Sequence, residues 1–244
     1  EKIVMCSPPK KDKNNKVTIN ENILVAADML GITEIFKVGG AQAISGMAFG
    51  TESIPKVYKI AGPGNLFVST AKRLLFGKID IDMPAGPSEI LIIADKYAYP
   101  KYLAADMIAQ AEHDKKARAI TVTDSKEIAE KLKIELKKQL KELPDINRNI
   151  AKTSLENNGI ILLVKDLYQA FKISNELAPE HLEIQVKNFK DFKKIKNAGS
   201  VFLGNYSVEA SGDYCSGPNH TLPTNGFAKM RGGLTVYDFL KIIS

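Results

Sequence analysis

The sequence predicts an α/β protein made of two Rossmann-like α/β units with mainly parallel sheets. Strand-like apolar segments alternate with amphipathic helical segments along most of the 244 residues. The alternation restarts after a break rich in proline and glycine at residues 83–89. Strands that are separated by helices pair in parallel and carry the helices on the faces of the sheet. We therefore expect two domains, residues 1–87 and residues 88–244.

In the first domain the predicted elements follow one another at short intervals. A strand at residues 2–6 leads into a polar loop at residues 10–16, and Thr18 is placed to cap a helix that stops at Gly31. Two further helices each begin at a glycine-containing turn. The remaining predicted elements are strands at residues 34–38, 57–60 and 79–82 and helices that run from residues 39–44 to Gly50 and from residues 61–65 to Leu75.

The second domain repeats the alternation with longer elements. The apolar run at residues 89–94 is typical of a strand that is buried on both faces. Residues 205–233 show little regular pattern, and a long irregular loop in a compact domain often has a function. Residues 235–244 show the pattern of a helix. The predicted helices are residues 100–112, 125–143, 145–155 and 166–177 and a last one that ends at Lys196, and the further predicted strands are residues 117–123, 160–164 and 182–186, with the segment at residues 199–204 following the last helix.

Composition argues against several classes of protein. Hydrophobic residues make up 44% of the chain and charged residues 25%, as in an ordinary folded protein. The net charge of +6 comes from lysines interspersed with glutamates, and no basic stretch alternates with aromatic residues, so we expect no nucleic-acid binding. Cys6 and Cys215 form no metal-binding pair, and no apolar run is long enough for a membrane span. A reducing, cytoplasmic location without membrane attachment is expected.

A Pro-Glu-His segment at residues 179–181 lies on the predicted turn between a helix and a strand. Catalytic side chains collect on loops beside strands. A carboxylate next to an imidazole offers two proton carriers of different pKa, so Glu180 and His181 could divide the activation of water and the acceptance of protons. The alternative is a turn whose two side chains are merely solvated.

The other two histidines of the chain also lie in polar segments. Gln110 and His113 are three residues apart on a predicted helix and therefore share a face. An amide oxygen, an imidazole nitrogen and a carboxylate such as Asp213 form an acceptable donor set for zinc. Glutamine is an unusual ligand, so a purely structural His113 is the alternative. His220 ends a segment rich in glycine, serine and proline.

The glycine turns at residues 39–42 and 62–65 each follow a strand and open a helix. Backbone amides and a positive helix end at such a turn could receive an anionic or nucleotide ligand. Neither turn matches the dinucleotide fingerprint or the phosphate loop. Sharp turns that need glycine for steric reasons are the alternative.

Taken together, these segments closely resemble the histidinol dehydrogenase family, whose zinc enzymes complete the biosynthesis of L-histidine. The resemblance extends over nearly the whole chain in the family's order. It is carried by residues 38–44, 48–52, 62–65, 81–89, 110–113, 179–182, 198–204, 212–214 and 219–224.

The resemblance implies a four-electron oxidation of L-histidinol to L-histidine, through bound L-histidinaldehyde, with two NAD used in succession. It implies that Glu180 activates water and that His181 accepts protons. It also implies a set of ligand-binding residues: Gln110, His113 and Asp213 for zinc, Gln42 and Asn65 for NAD, and Ser88 and His220, together with the zinc ligands and the Glu180–His181 pair, for the substrate.

Two departures from the family pattern accompany the resemblance. Family members are implied to be homodimers in which a C-terminal arm of the partner subunit supplies a fourth zinc ligand, a histidine, and this sequence ends before that arm. The family's N-terminal segment, with a tyrosine that helps to hold NAD, is also missing. We therefore expect both domains to be incomplete, the NAD-contacting domain at residues 1–87 and the zinc, substrate and catalytic domain at residues 88–244, in a piece that is inactive by itself.

Two other functions stay open at this point. In a zinc hydrolase, Glu180 would activate a metal-bound water and the glycine turns would be structural only. In a non-catalytic fragment, the same residues would bind a nucleotide or a partner chain.

Overall fold

The computed structural model of the chain describes residues 2–11, 13–84 and 86–243, without the side chains of residues 189–191. The chain divides into two compact units, Glu1–Ala85 and Gly86–Ser244. Among the described strands, every pair is parallel except one short hairpin. The predicted α/β class with mainly parallel sheets is confirmed.

The first unit is built from short strands and three helices within residues 2–84. Its elements are β1 (Val4–Cys6), β2 (Lys10–Lys11), β3 (Val17–Thr18), α1 (Glu21–Met29), β4 (Glu34–Phe36), α2 (Gly40–Phe49), β5 (Lys59–Ile60), α3 (Leu66–Leu75) and β6 (Asp80–Ile81). β1 pairs with β4 and β5 pairs with β6. A buried cluster that includes Ile44, Met47, Ile60 and Ile81 joins α2 to the second strand pair.

Three expectations for this unit are wrong. Its parallel strands form two separate pairs and not one sheet. The expected polar loop begins with β2, which pairs antiparallel with β3 directly after the loop. The pattern misses this hairpin because its strands are largely exposed and lack apolar alternation. The N-cap of α1 is Asn20 and not Thr18, because Asn20 directly precedes the helix and its side chain accepts a hydrogen bond from Asn22 N at 2.9 Å.

A buried ion pair holds the second glycine turn. Lys72 of α3 pairs with Asp82, and their side chains are 3% and 0% exposed. Asp82 Oδ2 accepts a hydrogen bond from Gly62 N at 2.8 Å, and Lys72 Nζ donates to Gly62 O at 2.9 Å. Gly62 has φ of 132°, a conformation that side chains disfavour. Both backbone groups of this glycine are therefore fixed by one ion pair.

Loss of this ion pair should destabilise the protein strongly. We expect Lys72→Met to lower the free energy of unfolding by about 3–5 kcal/mol, because it removes the cation that compensates a buried carboxylate. Lys59→Met is the matched control, since Lys59 pairs with Asp80 across β5 and β6 with side chains 21% and 55% exposed, and its loss should cost about 1 kcal/mol or less. Urea unfolding measures both, and equal losses would show that burial does not decide the effect.

The second unit is built on one five-stranded parallel sheet in the order β11-β10-β7-β8-β9. Residues Ile90 and Ile92 of the central strand pack with α4 and α5, whereas Leu91 and Ile93 pack with α7 on the other face. The elements are β7 (Glu89–Ala94), α4 (Pro100–Ala111), β8 (Arg118–Thr123), α5 (Lys126–Gln139), α6 (Asp145–Asn158), β9 (Gly159–Leu163), α7 (Leu167–Leu177), β10 (His181–Gln185) and β11 (Ser200–Leu203).

Two predicted helices of this unit are wrong. The segment expected to be helical up to residue 196 forms only the 3-10 helix Phe189–Lys194, and residues 235–244 contain only the 3-10 turn Val236–Phe239, with Ser244 outside the described residues. Ile242 and Ile243 are 99% and 91% exposed. A short helix is marginal unless its apolar face is packed, and here that face lies open. No described helix combines the length and the apolar character that a membrane crossing requires.

The sheet brings the predicted site residues of this unit to one edge. His181 pairs with Ile90 across β10 and β7, so both strands begin at the same edge. α4 connects β7 to the parallel strand β8, so the chain must return along α4 to that same edge. Glu180, His181 and the end of α4 with Gln110 are therefore neighbours.

Candidate active site

The turn that carries Glu180 and His181 is fixed from both sides. α7 ends where Ala178 adopts a left-handed conformation with φ of 53° and its N–H bonds to Ser174 O at 2.8 Å. Pro179 then prevents continuation of the helix. A Cβ atom at Gly199 would lie 2.5 Å from Glu180 O, so only glycine permits the start of β11 to approach the turn this closely.

Both side chains of the turn are buried, at 5% exposure each, so the alternative of a solvated turn is wrong. Glu89 N donates to Glu180 Oε2 at 2.9 Å, and His181 Nδ1 lies 3.2 Å from Glu89 O. A carbonyl oxygen only accepts hydrogen bonds, so Nδ1 carries the proton. Nε2 of the neutral imidazole is then free of a proton and can accept one.

The backbone of Glu89 is held in place through its own side chain. Asn225 N donates to Glu89 Oε1 at 2.9 Å, and Arg118 Nη1 lies 3.5 Å from Glu89 Oε2. The same residues line a crevice of about 210 Å³ together with Pro179. These contacts fix the two backbone groups that orient Glu180 and His181.

Burial shifts the pKa values of the pair in opposite directions. The pKa of Glu180 is raised to about 8, mainly by desolvation and also by the neighbouring carboxylates of Glu89, Glu209 and Asp213, whereas the hydrogen bond from Glu89 N lowers it. Desolvation lowers the pKa of His181 to about 4, against Asp213, which raises it. His181 is therefore neutral at neutral pH and able to accept a proton, and ionised Glu180 is a stronger base than an ordinary carboxylate.

One of the three candidate zinc ligands contacts His181, and the other two act on it electrostatically. Gln110 is buried, at 3% exposure, and its Oε1 lies 3.1 Å from His181 Nδ1. His113 lies in the turn after α4 and Asp213 ends the 3-10 segment Glu209–Asp213, both exposed. Both also act electrostatically on His181. Gln110 therefore contacts His181, and the charges of His113 and Asp213 act on it.

The donor chemistry of this set fits zinc. In the part of the chain that the structure describes, no three His, Cys, Asp or Glu side chains are arranged to hold a metal ion. The candidate set has two such side chains, His113 and Asp213, and needs the amide oxygen of Gln110 as its third donor. One imidazole nitrogen and two oxygens are donors that zinc accepts, with a position left for substrate.

The remaining predicted residues are less tightly placed. Ser88 directly precedes β7 and is half-buried. His220 is exposed, and no hydrogen bond within the described residues joins it to the Glu180–His181 turn. Gln42 lies exposed in the first turn of α2, and Asn65 caps α3, where its Oδ1 accepts from Phe67 N at 3.1 Å and from Val68 N at 3.2 Å.

A buried polar cluster behind His181 was not predicted. Glu183 and Gln185 of β10 are each 1% exposed, and Asp106 of α4 and Glu209 are each 5% exposed. Glu209 Oε1 lies 3.4 Å from His181 Nε2. We call Asp106, Glu183, Gln185 and Glu209 the inner acid cluster. The signal was present in the sequence, since polar residues occupy every second position of a buried strand and Asp106 lies one turn before Gln110 on the same helix face.

The inner acid cluster should make stability fall at high pH. Burial raises the pKa of Glu183 above its ordinary 4.5, and Asp106 raises it further. The folded state thus retains a proton that the unfolded state loses, so stability is full below the unfolded pKa and declines as the pH rises toward the folded pKa, by about 1.4 kcal/mol per pH unit for one proton. Because Glu183→Gln cannot ionise, its melting temperature should fall less than that of the parent between about pH 6 and pH 9.

Thermal unfolding at several pH values measures this difference. Glu130→Gln is the matched control, because Glu130 is an exposed carboxylate whose side chain is 59% accessible. This control should follow the pH dependence of the parent. A Glu183→Gln curve parallel to the parent would show that Glu183 is ionised in the folded protein throughout the range.

Comparisons with known proteins give one consistent result. A sequence model of the histidinol dehydrogenase family matches residues 1–244. Histidinol dehydrogenase of Lactococcus lactis is 52% identical over 100% of this chain and 56% of its own length, and that of Aquifex aeolicus is 51% identical over 99% and 54%. The chain thus spans about half the length of the curated relatives it matches.

Solved structures agree with the sequence comparisons. The crystal structure of histidinol dehydrogenase from Elizabethkingia anophelis is similar with a TM-score of 0.92 and 42% identity, over 98% of this chain and 54% of that one. A propionaldehyde dehydrogenase from Rhodopseudomonas palustris reaches a TM-score of 0.53 at 13% identity, over 87% of this chain and 61% of that one. This second likeness concerns the fold alone.

Proposed function

The chain belongs to the histidinol dehydrogenase family, and we propose that the protein oxidises L-histidinol to L-histidine, through L-histidinaldehyde, with two NAD. The observation that carries the proposal is the buried Glu180–His181 pair, in which a neutral imidazole and a carboxyl of raised pKa lie beside each other. Oxidation of an alcohol to an acid needs both a proton acceptor and an activated water.

We assign Gln110, His113 and Asp213 to zinc and Gln42 and Asn65 to NAD. When bound, zinc supplies an anchor for the amino alcohol and NAD supplies the acceptor for two hydrides. Ser88 and His220 contact the substrate in this assignment. The donor chemistry of the three ligand side chains, the contact of Gln110 with His181 and the electrostatic effects of the other two on it support the zinc assignment.

The chain's own residues move the protons. His181 Nε2 accepts the hydroxyl proton of the alcohol as the first hydride leaves its carbon. His181 returns this proton to the aldehyde oxygen, while Glu180 removes a proton from water and the water oxygen bonds to the aldehyde carbon, which gives the hydrate and leaves His181 neutral again. His181 accepts a hydroxyl proton of the hydrate as the second hydride leaves. A separation of 3.7 Å between His181 Nδ1 and Glu180 Oε2 places the two side chains beside each other.

The test is NADH formation by the protein at its full natural length. We expect two NADH for each L-histidinol consumed, with L-histidine as product. Hydrolysis of ester or amide substrates without reduction of NAD would favour the zinc hydrolase. Binding of NAD without any turnover would favour the non-catalytic reading.

We also propose a cytoplasmic homodimer in which a histidine of the partner subunit completes the zinc site. Only three donors of the assigned set come from this chain, and two of them, His113 and Asp213, are exposed and so accessible to a partner. Free Cys6 and Cys215 fit a reducing compartment. Sedimentation at several protein concentrations, with zinc content measured in each fraction, tests whether dimer formation and zinc retention coincide.

Substitution of the α3 cap should weaken NAD binding. We expect Asn65→Ala to raise the Kd for NAD by about tenfold or more, since a lost hydrogen bond to a ligand of this kind costs roughly 1–2 kcal/mol. Asn20→Ala is the matched control, because Asn20 caps α1 in the same manner but has no assigned ligand. Calorimetric titration with NAD, with zinc content measured in parallel, compares the two, and equal affinities would reduce the Asn65 turn to a structural feature.

A further inference from the structure

The assigned zinc ligands come from two elements that are distant in the sequence. Gln110 and His113 belong to the end of α4 and the turn after it, and Asp213 ends the 3-10 segment Glu209–Asp213. A metal site requires its donors to be held within a fraction of an ångström. Some contact must therefore set the distance between α4 and the segment that carries Asp213.

Glu183 makes contacts to both elements from the strand between them. Its Oε1 accepts a hydrogen bond from Glu209 N at 2.8 Å, at the start of the segment that ends in Asp213. Its other oxygen, Oε2, accepts from Gln185 Nε2 at 3.0 Å, and the same Nε2 lies 3.3 Å from Asp106 Oδ2. The carboxyl groups of Glu183 and Asp106 are also near enough to affect the pKa values of each other. Asp106 lies one helical turn before Gln110.

Because Glu183 is buried, its contacts fix the position of α4 relative to the segment that carries Asp213. Glu183 is 1% exposed, so no bulk solvent can replace a lost partner. A buried polar group without its hydrogen bonds costs about 1–3 kcal/mol, which disfavours any shift that separates Glu183 from either element. A well-packed apolar side chain would often stabilise a core as well as such a group does, so stability alone gives little reason for a carboxyl here.

We propose that Glu183 is a positioning residue for the zinc site, which sets the placement of Asp213 relative to Gln110 and His113 and holds the Glu209 carboxyl beside His181. The inference rests on the proposed function, since it takes those three side chains as the zinc ligands. Glu183 itself contacts neither zinc nor substrate.

Two substitutions at this position separate positioning from packing. Glu183→Met keeps the side-chain length but has no group to accept from Glu209 N or from Gln185 Nε2, and we expect it to raise the Kd for zinc by about 10- to 100-fold, the usual effect of losing a partner of metal ligands. Glu183→Gln keeps an oxygen that can accept from Glu209 N. Its amide group replaces the oxygen that accepts from Gln185 Nε2, and rotation of the Gln185 amide brings its Oε1, a buried atom with no hydrogen-bond partner among the described residues, to the new donor. Its Kd for zinc should stay within about threefold of the parent.

Thr121→Val is the matched control. Thr121 is fully buried on β8, and its hydroxyl bonds to Met107 Sδ of α4 at 3.2 Å, but it does not contact the segment that carries Asp213. The substitution should change the melting temperature without changing the Kd for zinc. This control distinguishes the effect of weaker packing of α4 from the effect of losing the contacts of Glu183.

The measurement is competition for zinc against a chromogenic chelator, with the metal-free protein at its full natural length. An unchanged Kd for folded Glu183→Met would overturn the inference, as would a loss of equal size in Thr121→Val. If Glu183→Met does not fold, Glu183→Asp gives the same comparison, because its shorter chain cannot reach Glu209 N and Gln185 Nε2 together. A parent that binds zinc but does not oxidise L-histidinol would refute the proposed function and leave the zinc comparison valid, whereas a parent without zinc would refute both.

Discussion

Glu180→Gln should slow the conversion of L-histidinaldehyde to L-histidine by about 10²- to 10⁴-fold, the contribution of a positioned general base, and should leave the oxidation of the alcohol nearly unchanged. Glutamine keeps the size of the side chain and an oxygen that can accept from Glu89 N, which lies 2.9 Å from Glu180 Oε2. It cannot accept the proton of a water. Only the aldehyde step needs that proton transfer, so only that step should be lost.

The two half-reactions can be measured separately. L-histidinaldehyde supplied with NAD reports the second oxidation, and L-histidinol with an aldehyde-trapping reagent reports the first. His181→Asn should slow both, because each oxidation releases a hydroxyl proton to this residue. Glu176→Gln is the matched control, since Glu176 is an exposed carboxylate on the same helix end, and it should affect neither step. Equal losses in both steps for Glu180→Gln would contradict its assignment as the water base.

Sequence patterns located the parts of the fold that depend on local signals. The run at residues 89–94 is a buried strand because no polar residue interrupts it between Ile90 and Ala94, and the turn at Glu180 is marked by Pro179 and the alternation that follows. The helix expected at residues 235–244 did not form, and the apolar side chains described in this segment are exposed. The spacing of apolar residues shows that a helix would have an apolar face, but it does not show whether another part of the protein packs against that face.

The geometry of the site could not be predicted from the sequence, because it depends on contacts between residues that are distant in the sequence. Glu89 orients both Glu180 and His181 through its backbone, and a backbone group leaves no mark on residue type. Gln185 Nε2 lies within hydrogen-bond distance of both Glu183 and Asp106 only because the fold brings α4 close to β10, although each polar position was visible by itself. The site also lies at the edge where the strands begin, whereas ligands of open α/β sheets usually bind at the opposite edge.

The three histidines of the chain should respond differently to substitution, and His113→Ala should have the largest effect on zinc. We expect it to raise the Kd for zinc by more than about 100-fold, because even the loss of an outer partner of a metal ligand costs about 10- to 100-fold. Removal of this imidazole leaves the neutral amide of Gln110 and the carboxylate of Asp213 as the only assigned donors of this chain. An amide oxygen attracts the ion weakly, so these two cannot retain it.

His220→Ala is the matched control for His113→Ala, since both remove an exposed imidazole of the same unit. His220 is assigned to the substrate, so its loss should leave the Kd for zinc within about threefold while raising the KM for L-histidinol. Chelator competition measures zinc in both variants, and NADH formation at saturating zinc gives the KM. If His113→Ala retained zinc and His220→Ala lost it, the assignment of His113 to zinc would be wrong. The metal would then belong to the segment at residues 214–224, with His220 as its ligand.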